Sequence, residues 1–142
     1  MQSTAWLRKV PAILIVDDDR DIREGLADIL GLAGYLVRTA ANGKVALEEA
    51  QESWPDLIIL DLMMPVMNGW KFLEAQRRHP RLASIPVIVA SASTASQVEG
   101  AAVLLRKPFD VDTLLAIVAR ICGGERERLG WMSEIAAPGL GN

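Results

Sequence analysis

Three carboxylates, one hydroxyl and one ammonium in this chain stand where strand-like runs stop: Asp17 and Asp18 after residues 12–16, Asp61 after residues 57–60, Ser91 after residues 87–90, and Lys107 after residues 103–106. Carboxylates brought together repel one another and favour protonation unless a cation compensates them. Oxygen ligands of this kind suit a hard divalent ion such as Mg²⁺, which keeps several waters and accepts phosphate oxygens. A lysine adds a mobile positive charge and a serine adds one hydrogen bond, and beside three acids both are better placed to face a phosphate than a metal. Taken singly, each residue has a plainer reading: residues 17–19 as a helix cap, Asp61 as a turn cap, Ser91 as a core hydroxyl, Lys107 as a solvated lysine. Their joint position at successive strand ends is what points to a site.

The elements that must bring them together are set by the pattern of apolar residues. The segment Leu57–Leu60 is an unbroken apolar run of strand length, as suits a strand covered on both faces, and Pro65, Asn68 and Gly69 keep the segment after Asp61 a loop. Ala12–Val16 reads as a strand of the same kind. Asp21 and Glu24 have capping-box spacing, and Ile22, Leu26, Ile29, Leu30 and Ala33 repeat at helical period until Gly34. Residues 35–39 read as a short strand. Asn42 and Gly43 turn the chain into a helix ending near Ser53, and a third helix covers residues 70–78 until His79 and Pro80 end it. Val87 to Ala90 form a fourth strand with Ser91 at its end. Residues 93–103 have room for one to two helical turns weakened by Gly100; Val103–Arg106 is a fifth strand, and Val111 to Ile121 a last helix that Gly123 and Gly124 stop. Strands alternating with helices predict a parallel sheet with helices on both faces, whose C-terminal strand ends share one edge.

Composition narrows the function classes. At 142 residues, half of them hydrophobic, the chain is expected to form one domain. Its formal charge of -3 comes from mixed signs along the chain, so it shows no basic field for nucleic acid or an anionic membrane, and direct DNA binding is not expected. Cys122 is the only cysteine, which excludes an intramolecular disulfide and a cysteine zinc site and fits a reducing compartment. No apolar run has the length of a membrane span or a signal segment, so the expected location is the cytoplasm, without membrane insertion.

With these motifs assembled, the chain resembles the receiver domain of bacterial two-component response regulators. The matching segments are residues 13–19, 56–69 and 86–92, with Lys107, Pro108 and Phe109, and they span residues 12–122, leaving an N-terminal extension at 1–11 and a C-terminal tail at 123–142. The resemblance implies a flavodoxin-like, doubly wound sheet of five parallel strands in the order 2-1-3-4-5, with the fourth helix shortened. It implies that Asp61 accepts a phosphoryl group from a histidine kinase or histidine phosphotransfer protein. It further implies that Asp17, Asp18, Asp61 and the main-chain carbonyl of Met63 hold Mg²⁺, that Ser91 is the switch hydroxyl and Lys107 the phosphoryl contact, and that the Lys107–Pro108 peptide is cis.

As chemistry this is self-consistent: Asp61 attacks phosphorus as a carboxylate nucleophile, and the labile acyl phosphate formed makes the signal transient. On this reading the chain is no enzyme beyond its own phosphorylation and dephosphorylation, and it signals through protein contacts. Two departures from the family pattern bear on the readout: Leu104 stands where an aromatic residue is usual, and residues 93–103 are about two turns short of the usual fourth helix. They favour an alternative, a receiver-like binding module that does not depend on phosphorylation. A phosphatase of another α/β family would usually carry a further general acid two residues after the nucleophile, where this chain has Met63. Met63 and Ser93 occupy positions from which side chains alter water access in the family. The tail, with Leu129, Trp131, Met132 and Ile135, reads as a frayed terminus in preference to a short docking helix.

Overall fold

The apolar runs that read as strands do pair as strands. In the computed structural model, which describes residues 10–92 and 97–123, the elements in chain order are β1 (Ala12–Val16), α1 (Arg20–Leu32), β2 (Leu36–Ala40), α2 (Gly43–Glu52), β3 (Leu57–Leu60), α3 (Gly69–Arg78), α4 (Pro80–Ala83), β4 (Val87–Ser91), β5 (Val103–Arg106) and α5 (Val111–Cys122). The strands form one sheet, all parallel, in the order β2-β1-β3-β4-β5. This is the order expected from the resemblance.

The described residues divide into two compact units, one up to Pro108 and one from Phe109. The first contains the whole sheet. On one of its faces Leu14, Val16, Ile58, Leu60, Val87 and Val89 form a continuous core with Ala46 and Ala50 of α2, Phe72 and Leu73 of α3, and Leu82 of α4. By the alternation of a strand, Ile13, Ile15, Ile59 and Ile88 project to the other face, where α1 lies against β1 and β2 and buries Leu26 and Leu30. Because both faces are covered, the central strands carry no polar residue until they end, and this explains their unalternating sequences. In the second unit, α5 is capped by Asp110 and buries Leu114 and Val118.

Several local expectations are revised. Helix α1 begins at Arg20, and its cap is Asp19, whose carboxylate accepts from the N–H groups of Asp21 and Ile22; the Asp21–Glu24 capping box does not form. Asp19 has the extended backbone of a cap, so the helix starts a residue before Asp21 could cap it. Gly43 is the first residue of α2, capped by Asn42. Pro80 ends α3 and also opens α4, where a missing N–H costs nothing at a first helical position. Between β4 and β5, residues 93–96 fall outside the described residues, and 97–102 contain a turn closed by the Ala101 N–H on the Val98 carbonyl and no helix. The expected shortened helix therefore falls partly outside the described residues. The tail after Gly123 falls outside them entirely.

Gln76 braces α3 to the segment that leads into β4. It is buried, and its Nε2 donates to the carbonyls of Leu82 at 2.8 Å and Ile85 at 2.9 Å. Removing the amide leaves both carbonyls without that donor in a dry site. Gln76→Ala is therefore expected to lower unfolding stability by about 3 kcal/mol, combining the lost partners with the cavity. Urea denaturation reads this directly, and a loss under about 1 kcal/mol would show that water replaces the brace.

Candidate functional site at the C-terminal strand edge

Strand register builds the site. Val16 pairs with Leu60, so the residues next in the chain, Asp17 and Asp61, emerge side by side. The ladder runs one step further: the Asp61 N–H donates to the Val16 carbonyl at 2.9 Å, and the Asp17 N–H to the Ala40 carbonyl at 3.1 Å. On the other flank Ser91 pairs with Arg106, and the Lys107 N–H donates to the Ser91 carbonyl at 3.0 Å. Main-chain hydrogen bonds thus fix where all of these side chains start. The Lys107–Pro108 peptide is cis.

The acids converge as expected. Asp17, Asp18 and Asp61 each offer a carboxylate oxygen, and these atoms lie within 4.8 Å of one another. Asp17 and Asp61 are buried, whereas Asp18 is exposed, so the cluster has two floor residues and one at its mouth. Lys107 reaches in from the end of β5, and its Nζ donates to Asp17 Oδ2 at 2.7 Å while standing 3.9 Å from Asp61 Oδ2. Its closer partner is thus Asp17. Ser91 is buried and hydrogen-bonds the Asp61 carboxylate. The Met63 N–H donates to Asp61 Oδ1 at 3.2 Å, and the Met63 side chain is exposed. Ser93 lies outside the described residues, and Leu104 packs partly buried against the core.

Two supporting contacts carry no recognisable signal in the sequence. Arg23, a turn into α1, donates to the Asp17 carbonyl at 2.8 Å, and the Asp19 N–H donates to Asp17 Oδ1 at 2.9 Å. Asp17 is thereby held from three directions, by Arg23, Asp19 and Lys107. Of the first two, only Asp19 belongs to the acidic stretch that the sequence pattern marks.

The electrostatics derive from burial. The Asp61 carboxyl titrates above its ordinary value of 3.8, first because it is desolvated and further because of the charge on Asp17. Lys107, the Met63 N–H and the Ser91 hydroxyl oppose the rise without cancelling it. One lysine does not neutralise three acids. Oxygen donors clustered around a residual negative charge fit a hard divalent cation, and Asp17, Asp18 and Asp61 are the side chains that would hold it.

Comparison with known proteins agrees with this architecture. The family profile for the response regulator receiver domain matches residues 13–119. The DNA-binding dual master transcriptional regulator RpaA of Synechocystis sp. is 40% identical over 115 residues, which are 77% of this chain and 48% of RpaA. The regulatory protein AtoC of Escherichia coli is 37% identical over 112 residues, 76% of this chain and 24% of AtoC. The chain thus spans about half the length of RpaA and a quarter of AtoC. Among solved structures, the chemotaxis protein CheY4 of Vibrio cholerae superposes with a TM-score of 0.74 at 36% identity, covering 80% of this chain and 99% of CheY4. The response regulator TrrA of Thermotoga maritima, solved in complex with Mg²⁺-BeF, superposes with a TM-score of 0.72 at 30% identity, covering 79% of this chain and 99% of TrrA.

The raised Asp61 titration makes a stability prediction. A folded state that holds its proton to higher pH than the unfolded chain loses stability as pH rises between the two values, so at neutral pH ionised Asp61 is a net cost. Without divalent metal, Asp61→Asn is therefore expected to melt above wild type at pH 7, and the gain should shrink as pH falls below 3.8. Thermal melts at the two pH values decide; an Asp61→Asn protein that melts lower at pH 7 would contradict the assignment.

Proposed function

The chain belongs to the response regulator receiver domain family, and from that membership we propose that it is a Mg²⁺-dependent phosphoacceptor whose nucleophile is Asp61. The observation that carries the proposal is the meeting of Asp17, Asp18 and Asp61 within 4.8 Å at one strand edge, with Lys107 and Ser91 on the same edge. In the proposed reaction an Asp61 oxygen forms a bond to phosphorus in line with the bond to the donor, which breaks with its electron pair leaving on the donor. Lys107 offsets charge on the transferring oxygens and Ser91 offers its hydroxyl to one of them. Bound Mg²⁺ would supply the remaining charge neutralisation, held by Asp17, Asp18, Asp61 and the Met63 carbonyl. Hydrolysis, in which water attacks the same phosphorus, returns Asp61 and ends the signal.

The donor in this proposal is a histidine kinase or histidine phosphotransfer protein, and the output passes to a downstream protein by contact. Residues 12–122 act as the signalling unit, with residues 1–11 and 123–142 flanking it. We place it in the cytoplasm, which suits a chain whose one cysteine, Cys122, has no second cysteine to pair with; among the described residues no helix is long and apolar enough to cross a membrane.

Incubation with a small acyl phosphate and Mg²⁺, followed by intact mass, tests the nucleophile. One phosphoryl group is expected on wild type and none on Asp61→Asn; an undiminished mass shift in the variant would sink the assignment. The metal has its own test. Mg²⁺ at ten times its dissociation constant should stabilise the fold by about 1.4 kcal/mol through mass action. Most of that gain should be absent in Asp18→Asn, and equal shifts in the two melts would count against the acid cluster as its site.

A further inference from the structure

The loop that carries Met63 away from Asp61 is held in a shape it would not choose alone. Val66 has φ of 69°, a left-handed conformation that a β-branched residue adopts only under constraint, and its side chain is exposed, so its own packing does not supply that constraint. The constraint comes from two glycines. At the far end of the loop the Gly69 N–H donates to the Leu62 carbonyl at 2.9 Å, and a Cβ on Gly69 would lie 2.6 Å from the Asp61 carbonyl oxygen. Two residues earlier the Gly43 N–H, the first of α2, donates to the Met67 carbonyl at 3.1 Å. A Cβ on Gly43 would lie 2.8 Å from that same carbonyl oxygen and 2.8 Å from Met67 Cγ. Gly43 is buried and its φ lies outside the left-handed region, so what it contributes is the absence of a side chain and the presence of an N–H.

We propose that Gly43 is a positioning residue for the Asp61 site. It clamps the loop from α2 through Met67, next to the strained Val66, and so sets where the Met63 main chain stands against the Asp61 carboxylate. The Met63 N–H already donates to Asp61 Oδ1, so displacement of the loop is felt at the acid itself. Gly69 constrains the strand side of the loop and Gly43 the helix side. Of the two, only Gly43 touches the loop from an element distant in sequence. The clamp therefore also makes the N-terminus of α2 sensitive to what Asp61 binds, because coupling between two places is reciprocal.

The proposal rests on the reading of Asp17, Asp18 and Asp61 as a Mg²⁺ site, and calorimetric Mg²⁺ titration separates the two ideas. Wild type should bind Mg²⁺; Gly43→Ala should bind it about tenfold more weakly, within the usual range of coupling between sites. Ala50→Gly, a substitution at a buried position about two turns further along the same helix, should lower the melting temperature and leave the Mg²⁺ affinity within about twofold. No binding by wild type would remove the site and the clamp together. Tight binding by both wild type and Gly43→Ala, or equal weakening in Ala50→Gly, would overturn the clamp alone. Should Gly43→Ala not fold, amide hydrogen exchange on wild type decides: saturating Mg²⁺ should slow exchange at Gly43 more than at Ala50, and an equal change at the two would overturn the proposal.

Discussion

Everything at the working edge of this protein depends on an imbalance of charge in a buried place. Asp17 and Asp61 leave their strands side by side with little access to water, and the ammonium that reaches them, from Lys107, lies 2.7 Å from Asp17 and 3.9 Å from Asp61. The nearer acid is paired and the other is under-compensated. Burial then disfavours the charged form of Asp61 more than its hydrogen bonds favour it. A fold tolerates such a cost where function uses it, because any cation that binds there relieves it. The surrounding structure is consistent with that cost, since Asp17 is held by Arg23, Asp19 and Lys107 at once and has little freedom to move away from Asp61.

The fold supports this edge in two ways. Close-packed central strands, buried on both faces, make the positions of their last residues a matter of main-chain register, so the acids need no help from flexible loops to meet. The loop after Asp61 is different in kind, since its path is set by glycine contacts and a strained Val66. The close-packed strands present the Asp61 carboxylate, and the constrained loop positions the main chain beyond it.

How much of this could be read from residues alone differs by level. The strands β1 and β3 were legible to the residue, because a strand covered on both faces is an unbroken apolar run with polar residues at its ends, and β5 was legible to the residue although it is a partly exposed edge strand. The positions of Asp17, Asp61 and Ser91 were legible for the same reason, since a polar residue directly after such a run has only one edge to occupy. What was not legible involved contacts that no helix period, strand alternation or cap rule links. Nothing in the spacing of Arg23 and Asp17, or of Gln76 with Leu82 and Ile85, announces that they touch. Gly43 read as a turn residue, although its chemistry is a missing Cβ opposite Met67. Pro80 read as a helix stop and also proved a helix start, since proline suits both positions. The closer pairing of Lys107 with Asp17 than with Asp61 is a difference of about an ångström between two acids on neighbouring strands, below what sequence pattern can resolve.

The central claim, that Asp61 is an under-compensated buried carboxylate awaiting a cation, is tested most directly by recording the NMR signal of its side-chain carboxyl carbon across pH, first without and then with saturating Mg²⁺. The account predicts a titration midpoint above the ordinary value of 3.8 in the metal-free protein, moving down when Mg²⁺ is added. A midpoint at the ordinary value that does not respond to Mg²⁺ would contradict it.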